Sequence, residues 1–117
     1  MLISLPELVA SACKNIKQLD AKAAYTEGRA SGIFVDVREP AETAAKNIPG
    51  SINIPRGVLE IKIGDLTTDP DAEIYVHCAT GGRAALAAEQ LQRIGYKNVT
   101  AISCALDIIM DVEIQHR

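Results

Sequence analysis

The chain has 117 residues, enough for one ordinary hydrophobic core, and is expected to fold as a single domain over residues 1–117. With 48% apolar and 23% charged residues it has the balance of a folded globular protein and not of a disordered one. A net charge of −3, with no basic run, one Phe and no Trp, argues against a nucleic-acid partner, and no apolar run reaches the length that spans a membrane.

The first residues, Met1 to Glu7, carry neither a cationic stretch nor an apolar secretory core, so no leader is expected. Three cysteines, Cys13, Cys78 and Cys104, are too few and too scattered for a disulfide framework. They fit a reducing compartment, and a cytoplasmic location is expected. Ser4-Leu5-Pro6-Glu7 reads as a capping box, followed by a helix with Leu5, Leu8, Val9 and Ala12 on one face. This N-terminal helix is assigned to residues 1–14 and the core to 15–112. A short extended piece near Ile16 leads to Asp20, an N-cap for a helix through Ala23, Ala24 and Tyr25 that stops near Gly28.

Ile33-Phe34-Val35-Asp36-Val37 is β-branched and apolar, the pattern of a strand buried on both faces. Pro40 opens a short helix to Lys46. Ile48 to Pro55 is a turn and then a short strand closed by proline, residues 56–63 have room for one or two helical turns, and 67–71 form a loop. Ile74 to His77 is the next strand. A helix follows from about Arg83 to Ile94, with Ala84, Ala87, Leu91 and Ile94 on one side and Gly95 as its stop. Val99 to Ile102 is a further strand, and Leu106, Ile109 and Met110 point to a last helix on the core. Helices and strands alternate, so the fold class is α/β with a largely parallel sheet.

Cys78 lies between its strand and the long helix, in the loop Cys78-Ala79-Thr80-Gly81-Gly82-Arg83. Two glycines allow backbone N–H groups to turn inward, a helix N-terminus contributes partial positive charge, and Arg83 contributes a full one. Each favours a thiolate, the reactive form of cysteine. In open parallel sheets ligands gather beyond the carboxyl ends of the strands. Cys78, the stretch Asp36 to Glu39 and Cys104 all follow strands at that rim.

Asp36-Val37-Arg38-Glu39, Ile48-Pro49-Gly50-Ser51-Ile52-Asn53-Ile54-Pro55, the Cys78 to Arg83 loop and Gly95-Tyr96-Lys97-Asn98-Val99 stand in the order and spacing of the rhodanese-like sulfurtransferase family, which the chain resembles from about Ile16 to Met110. The resemblance implies a three-layer sandwich, a central mostly parallel five-stranded sheet flanked by helices. It also implies a sulfur relay. Cys78 takes a sulfane sulfur from thiosulfate or a similar small donor, holds it as a persulfide and yields it to cyanide or a thiol, with a sulfur-relay protein as a possible partner. Ala79, Thr80, Gly81, Gly82 and Arg83 would surround the sulfur, and Asp36 and Arg38 would support the loop. No cofactor is implied, and two histidines with three scattered cysteines have no metal-ligand spacing.

The family's phosphatases and arsenate reductases carry one more residue between cysteine and arginine than this six-residue loop, so sulfur transfer is preferred to oxyanion chemistry. A sulfur carrier acting on a partner protein is the other alternative. Thr80-Gly81 resembles the mercaptopyruvate-using branch and Arg83 does not, which leaves the donor open. Asn47 replaces a common histidine, Ala84 a serine, Cys104-Ala105 the paired glycines and Ile109 the usual tryptophan, so the last helix is expected to sit differently.

Arg38 and Glu42, four apart, suit a local ion pair, and Asp36 suits a loop N–H or Arg38. His77 should point away from Cys78 and serve structure. Cys104 is read as a small buried hydrophobe, with a resolving thiol as the alternative, and Cys13 as packing. Arg56 and Lys62 read as solvated surface, His116 as part of a frayed end.

Overall fold

A computed structural model describes all residues, 1–117. In chain order the elements are α1 (Leu5–Cys13), β1 (Lys17–Leu19), α2 (Ala21–Glu27), β2 (Ile33–Asp36), α3 (Pro40–Ala45), β3 (Ile52–Asn53), a 3₁₀ turn (Arg56–Val58), α4 (Leu59–Leu66), β4 (Ile74–His77), α5 (Gly82–Ile94), β5 (Val99–Ile102) and α6 (Leu106–Gln115). The strands form one sheet in the order β1-β5-β4-β2-β3, and every pairing is parallel. No helix is long and apolar enough to cross a membrane.

The caps read from sequence are present. Ser4 Oγ accepts from the Glu7 N–H and the Glu7 carboxylate accepts from the Ser4 N–H, while Asp20 accepts from the Ala23 N–H. Two apolar clusters sandwich the sheet. One joins Val35, Val76, Leu59, Ile63, Cys78 and the alanine face of α5; the other joins Ala24, Tyr25, Tyr75, Ile102 and Ile109 between α2 and α6. Tyr25, Phe34 and Tyr75 stack in series, with centroids 4.4 and 4.9 Å apart. Gly28 permits this, since a Cβ there would meet the Tyr75 ring at 2.5 Å. Ala84, Ala85, Ala87, Ala88 and Leu91 of α5 are all buried, and the four small alanines let the helix lie close to the sheet.

Three expectations change. Ala12 is buried in α1, but Leu5 and Leu8 are exposed, because the helix is short and touches α5 only along its inner edge. Ile94, the last residue of α5, is exposed although Leu91, three residues before it, is fully buried. Ile33 and Phe34 are half-buried, and full burial in that strand begins at Val35.

Candidate active site

The site is built outward from β4. This strand lies at the middle of the sheet, and all four of its residues are buried. Cys78 is the next residue and is 1% exposed. The chain then reverses through Gly81, whose φ of +105° is a conformation that side-chain-bearing residues rarely adopt. The reversal brings the Gly81 N–H to 3.0 Å and the Ala84 N–H to 3.4 Å from Cys78 Sγ. Gly81 is the N-cap of α5, and no side chain caps it. The sulfur therefore stands where a capping oxygen usually stands, accepting one of the helix's orphan donors.

Sequence reasoning placed the donors at Ala79 to Arg83. Of these only the Gly81 N–H reaches the sulfur; the second donor, Ala84, lies one residue beyond that range. The N–H groups of Ala79, Thr80, Gly82 and Arg83 donate to no acceptor in the protein. The Ala79 carbonyl accepts from the Leu106 N–H at 3.0 Å, tying the loop to the start of α6. Thr80 is exposed and its hydroxyl makes no hydrogen bond within the chain.

Asp36 and Arg38, after β2, form the buried support. Asp36 is fully buried and Arg38 is 3% exposed. The Asp36 carboxylate accepts from the Arg38 N–H (2.9 Å), from Arg38 Nε and Nη2 and from the Thr43 hydroxyl (2.9 Å). Burial pushes the Asp36 pKa up, but the Arg38 hydrogen bonds outweigh it and the net direction is down. Arg38 also donates to the Glu42 and Lys46 carbonyls, closing the end of α3. Asn53 Nδ2 donates to the carbonyls of Asp36 and Arg38, fixing the same turn from β3.

The expected Arg38–Glu42 ion pair does not form. Asp36 takes Arg38, because it sits in the buried interior where a charge needs its partner most. The Glu42 carboxylate instead grips Arg83 at two points, Nη1 to Oε1 at 2.6 Å and Nη2 to Oε2 at 3.0 Å. Arg83 holds the Glu42 pKa down at about 2, and the same pair raises that of Arg83. The role of Glu42 was missed because its partner lies 41 residues away, at a distance no local spacing rule covers.

His77 is fully buried, neither ring nitrogen has a hydrogen-bond partner, and Nε2 lies 3.8 Å from Asp36 Oδ2. Burial pulls its pKa down to about 4 despite the nearby carboxylate. Cys104 is half-buried, not fully buried, and its Sγ accepts from the Ala21 N–H at 3.3 Å. It packs on the α2/α6 side, whereas Cys78 belongs to the cluster on the other face of the sheet. Cys13 is half-buried at the end of α1. Arg56 pairs with Glu60, and Lys62 is exposed. The hollows lie away from Cys78: the largest, about 490 Å³, is lined by Asp20, Ala23 and Thr26, and one of about 210 Å³ sits beside Gly32 and Phe34, at the opposite end of β2. No three His, Cys, Asp or Glu side chains are grouped as a metal ion requires.

Comparison with known proteins matches residues 17–107 to the family model "Rhodanese-like domain". The chain is 36% identical over 66 residues to the putative sulfur carrier protein YrkF of Bacillus subtilis, covering 56% of this chain and 35% of that protein. It is 30% identical over 77 residues to the thiosulfate sulfurtransferase PspE of Escherichia coli, covering 66% and 74%. The chain thus spans about a third of the length of the first relative. Among solved structures, a Rhodopseudomonas palustris protein of unknown function, described as a possible tyrosine phosphatase, superposes with a TM-score of 0.79 at 29% identity, over 95% of this chain and 92% of that one.

Proposed function

We propose that this chain, which belongs to the rhodanese-like domain family, moves sulfane sulfur from thiosulfate or a similar donor to a thiol or cyanide through a persulfide on Cys78. The observation that carries the reading is the pair of N–H groups, from Gly81 and Ala84, aimed at Cys78 Sγ in a six-residue loop. Such donors stabilise a sulfur anion before the reaction and a persulfide anion after it. In the first step the Cys78 thiolate bonds to the outer sulfur of the donor. The donor's S–S bond breaks and sulfite leaves with the electron pair. In the second step the acceptor attacks the outer persulfide sulfur, and Cys78 departs as thiolate. The free N–H groups of Ala79, Thr80, Gly82 and Arg83 are the remaining donors for the transferred sulfur or the leaving group. Asp36 and Arg38 hold the neighbouring turn in place.

The test is intact-mass analysis after incubation with thiosulfate. Wild type should gain one sulfur, about 32 Da, and Cys78→Ser should gain none, because the thiolate is the attacking group. No adduct with any sulfane donor would refute the reading. A sulfur-carrier role is the second reading, favoured by the likeness to a putative sulfur carrier. Ready loading of Cys78 with little steady-state thiosulfate:cyanide turnover would select it. Hydrolysis of an aryl phosphate would favour oxyanion chemistry instead, against the short loop.

A further inference from the structure

The cations that the loops and helix ends bring to the Cys78 rim are all engaged. Arg38 is paired with Asp36, Arg56 with Glu60, Lys46 with Asp107 and Arg83 with Glu42. Arg83 is the one inside the six-residue loop that Cys78 opens. Both of its terminal nitrogens face the Glu42 carboxylate. That carboxylate is itself held from α3, since Glu42 Oε1 also accepts the Glu39 N–H at 3.0 Å.

Resting on the sulfurtransferase reading above, we propose that Glu42 ranks sulfur donors by charge: its two-point grip neutralises Arg83, so the loop takes an organic persulfide or polysulfide, carrying at most one charge, ahead of doubly charged thiosulfate. The physical basis is simple electrostatics. An approaching donor meets a neutral ion pair in place of a lone guanidinium, and the attraction lost doubles when the donor charge doubles. Side chains 37% exposed on each partner leave the pair close enough to solvent to be felt at the mouth. With a neutral donor R–S–SH the step balances without any further reactant. Cys78 thiolate bonds the outer sulfur, the S–S bond breaks, its electron pair leaves on R–S⁻, and the proton stays on the transferred sulfur.

Glu42→Gln is the informative variant, because the amide oxygen can still accept the Glu39 N–H while the charge is gone. The second-order rate of persulfide loading on Cys78 is measured with thiosulfate and with 2-hydroxyethyl persulfide, a donor that carries at most one negative charge. Thiosulfate loading should rise about tenfold and 2-hydroxyethyl persulfide loading about threefold or less, since half the charge gives half the effect on a logarithmic scale. The thiosulfate gain should shrink between about 0.05 and about 0.5 M salt, and should vanish in Glu42→Gln/Arg83→Gln. In wild type, thiosulfate loading should vary little over that salt range, a measurement that needs no variant. A steep fall with salt in wild type, an equal change for both donors, or a loss with both would overturn the proposal. If wild type loads with neither donor, the sulfurtransferase reading itself fails. If it loads with both and the ratio is unmoved in Glu42→Gln, the charge ranking alone fails.

Discussion

Replacing Gly81 with alanine separates the strain in the loop from its chemistry. At φ +105° and ψ −21° an L side chain is strained, at a cost of about 1–3 kcal/mol. Space is not the obstacle, since the new Cβ would have Ser103 O as its nearest neighbour at 3.5 Å, an ordinary contact. Rotating the peptide between Thr80 and Gly81 would relieve the strain. That peptide carries the N–H that donates to Cys78 Sγ at 3.0 Å. One donor lost from an anion site lowers the rate about a hundredfold. Gly81→Ala should therefore melt roughly 5–15 °C lower, from the strain energy and the usual unfolding entropy of a chain this size. It should also load sulfur about a hundredfold more slowly. A thermal melt followed by circular dichroism reports the first quantity and a mass-spectrometric time course the second. A variant that melts lower yet loads at the wild-type rate would refute the argument that this amide stabilises the sulfur anion.

Arg38→Met leaves the buried Asp36 carboxylate without its main partner and should lower the unfolding free energy by about 3–5 kcal/mol. Because Arg38 holds the Asp36 pKa below its usual value, the pair stabilises the fold above the ordinary aspartate range, and the benefit disappears as pH falls through the folded value. Acid unfolding of the variant should shift to higher pH, and an unchanged acid transition would sink this account. His77 is held neutral, with its pKa pulled from 6.5 to about 4, so wild-type stability should fall by about 3 kcal/mol as pH drops from about 6.5 to about 4. His77→Leu should match wild type near pH 8, where the unpaired ring contributes no hydrogen bond, and should lose that component of the acid slope; an identical slope would count against it. Cys104→Ser should load sulfur at the wild-type rate and keep or slightly gain stability, since a hydroxyl also accepts the Ala21 N–H. A wild-type species lighter by about 2 Da after loading, absent in the variant, would reveal a disulfide and contradict the opposite-face placement.

The elements themselves were legible because their signals are local. Ser4 with Glu7, Asp20, Pro40 and the turn at Gly81 each act within a few residues, and the structure keeps them. The rim was legible as well, since a parallel sheet forces strand-end residues together. Pairing across the site was not. Arg38 had two carboxylates within reach along the chain, and the choice of Asp36 over Glu42 depends on which becomes buried, a property of the assembled core. Once Asp36 is satisfied, Glu42 is free for an arginine on a helix 41 residues further on. The second donor to the sulfur escaped for a similar reason. Ala84 appears in sequence as an apolar helix residue, and its backbone N–H becomes chemically relevant only because Gly81 turns the chain by the amount it does. The packing of α1 was overestimated because amphipathic spacing says which face is apolar but not how much of the helix finds a neighbour.

Cys78 sits one peptide beyond the strand that has neighbours on both sides. The sulfur is thus moored to the segment whose amide protons should exchange with deuterium last, while the five residues after it, a turn and the first two residues of α5, have amides that largely lack acceptors. Changes at Thr80, which is exposed and spends its hydroxyl on nothing in the chain, can retune which molecule is bound without loosening the anchor, so new donor preferences are open to this scaffold as long as Gly81 is kept.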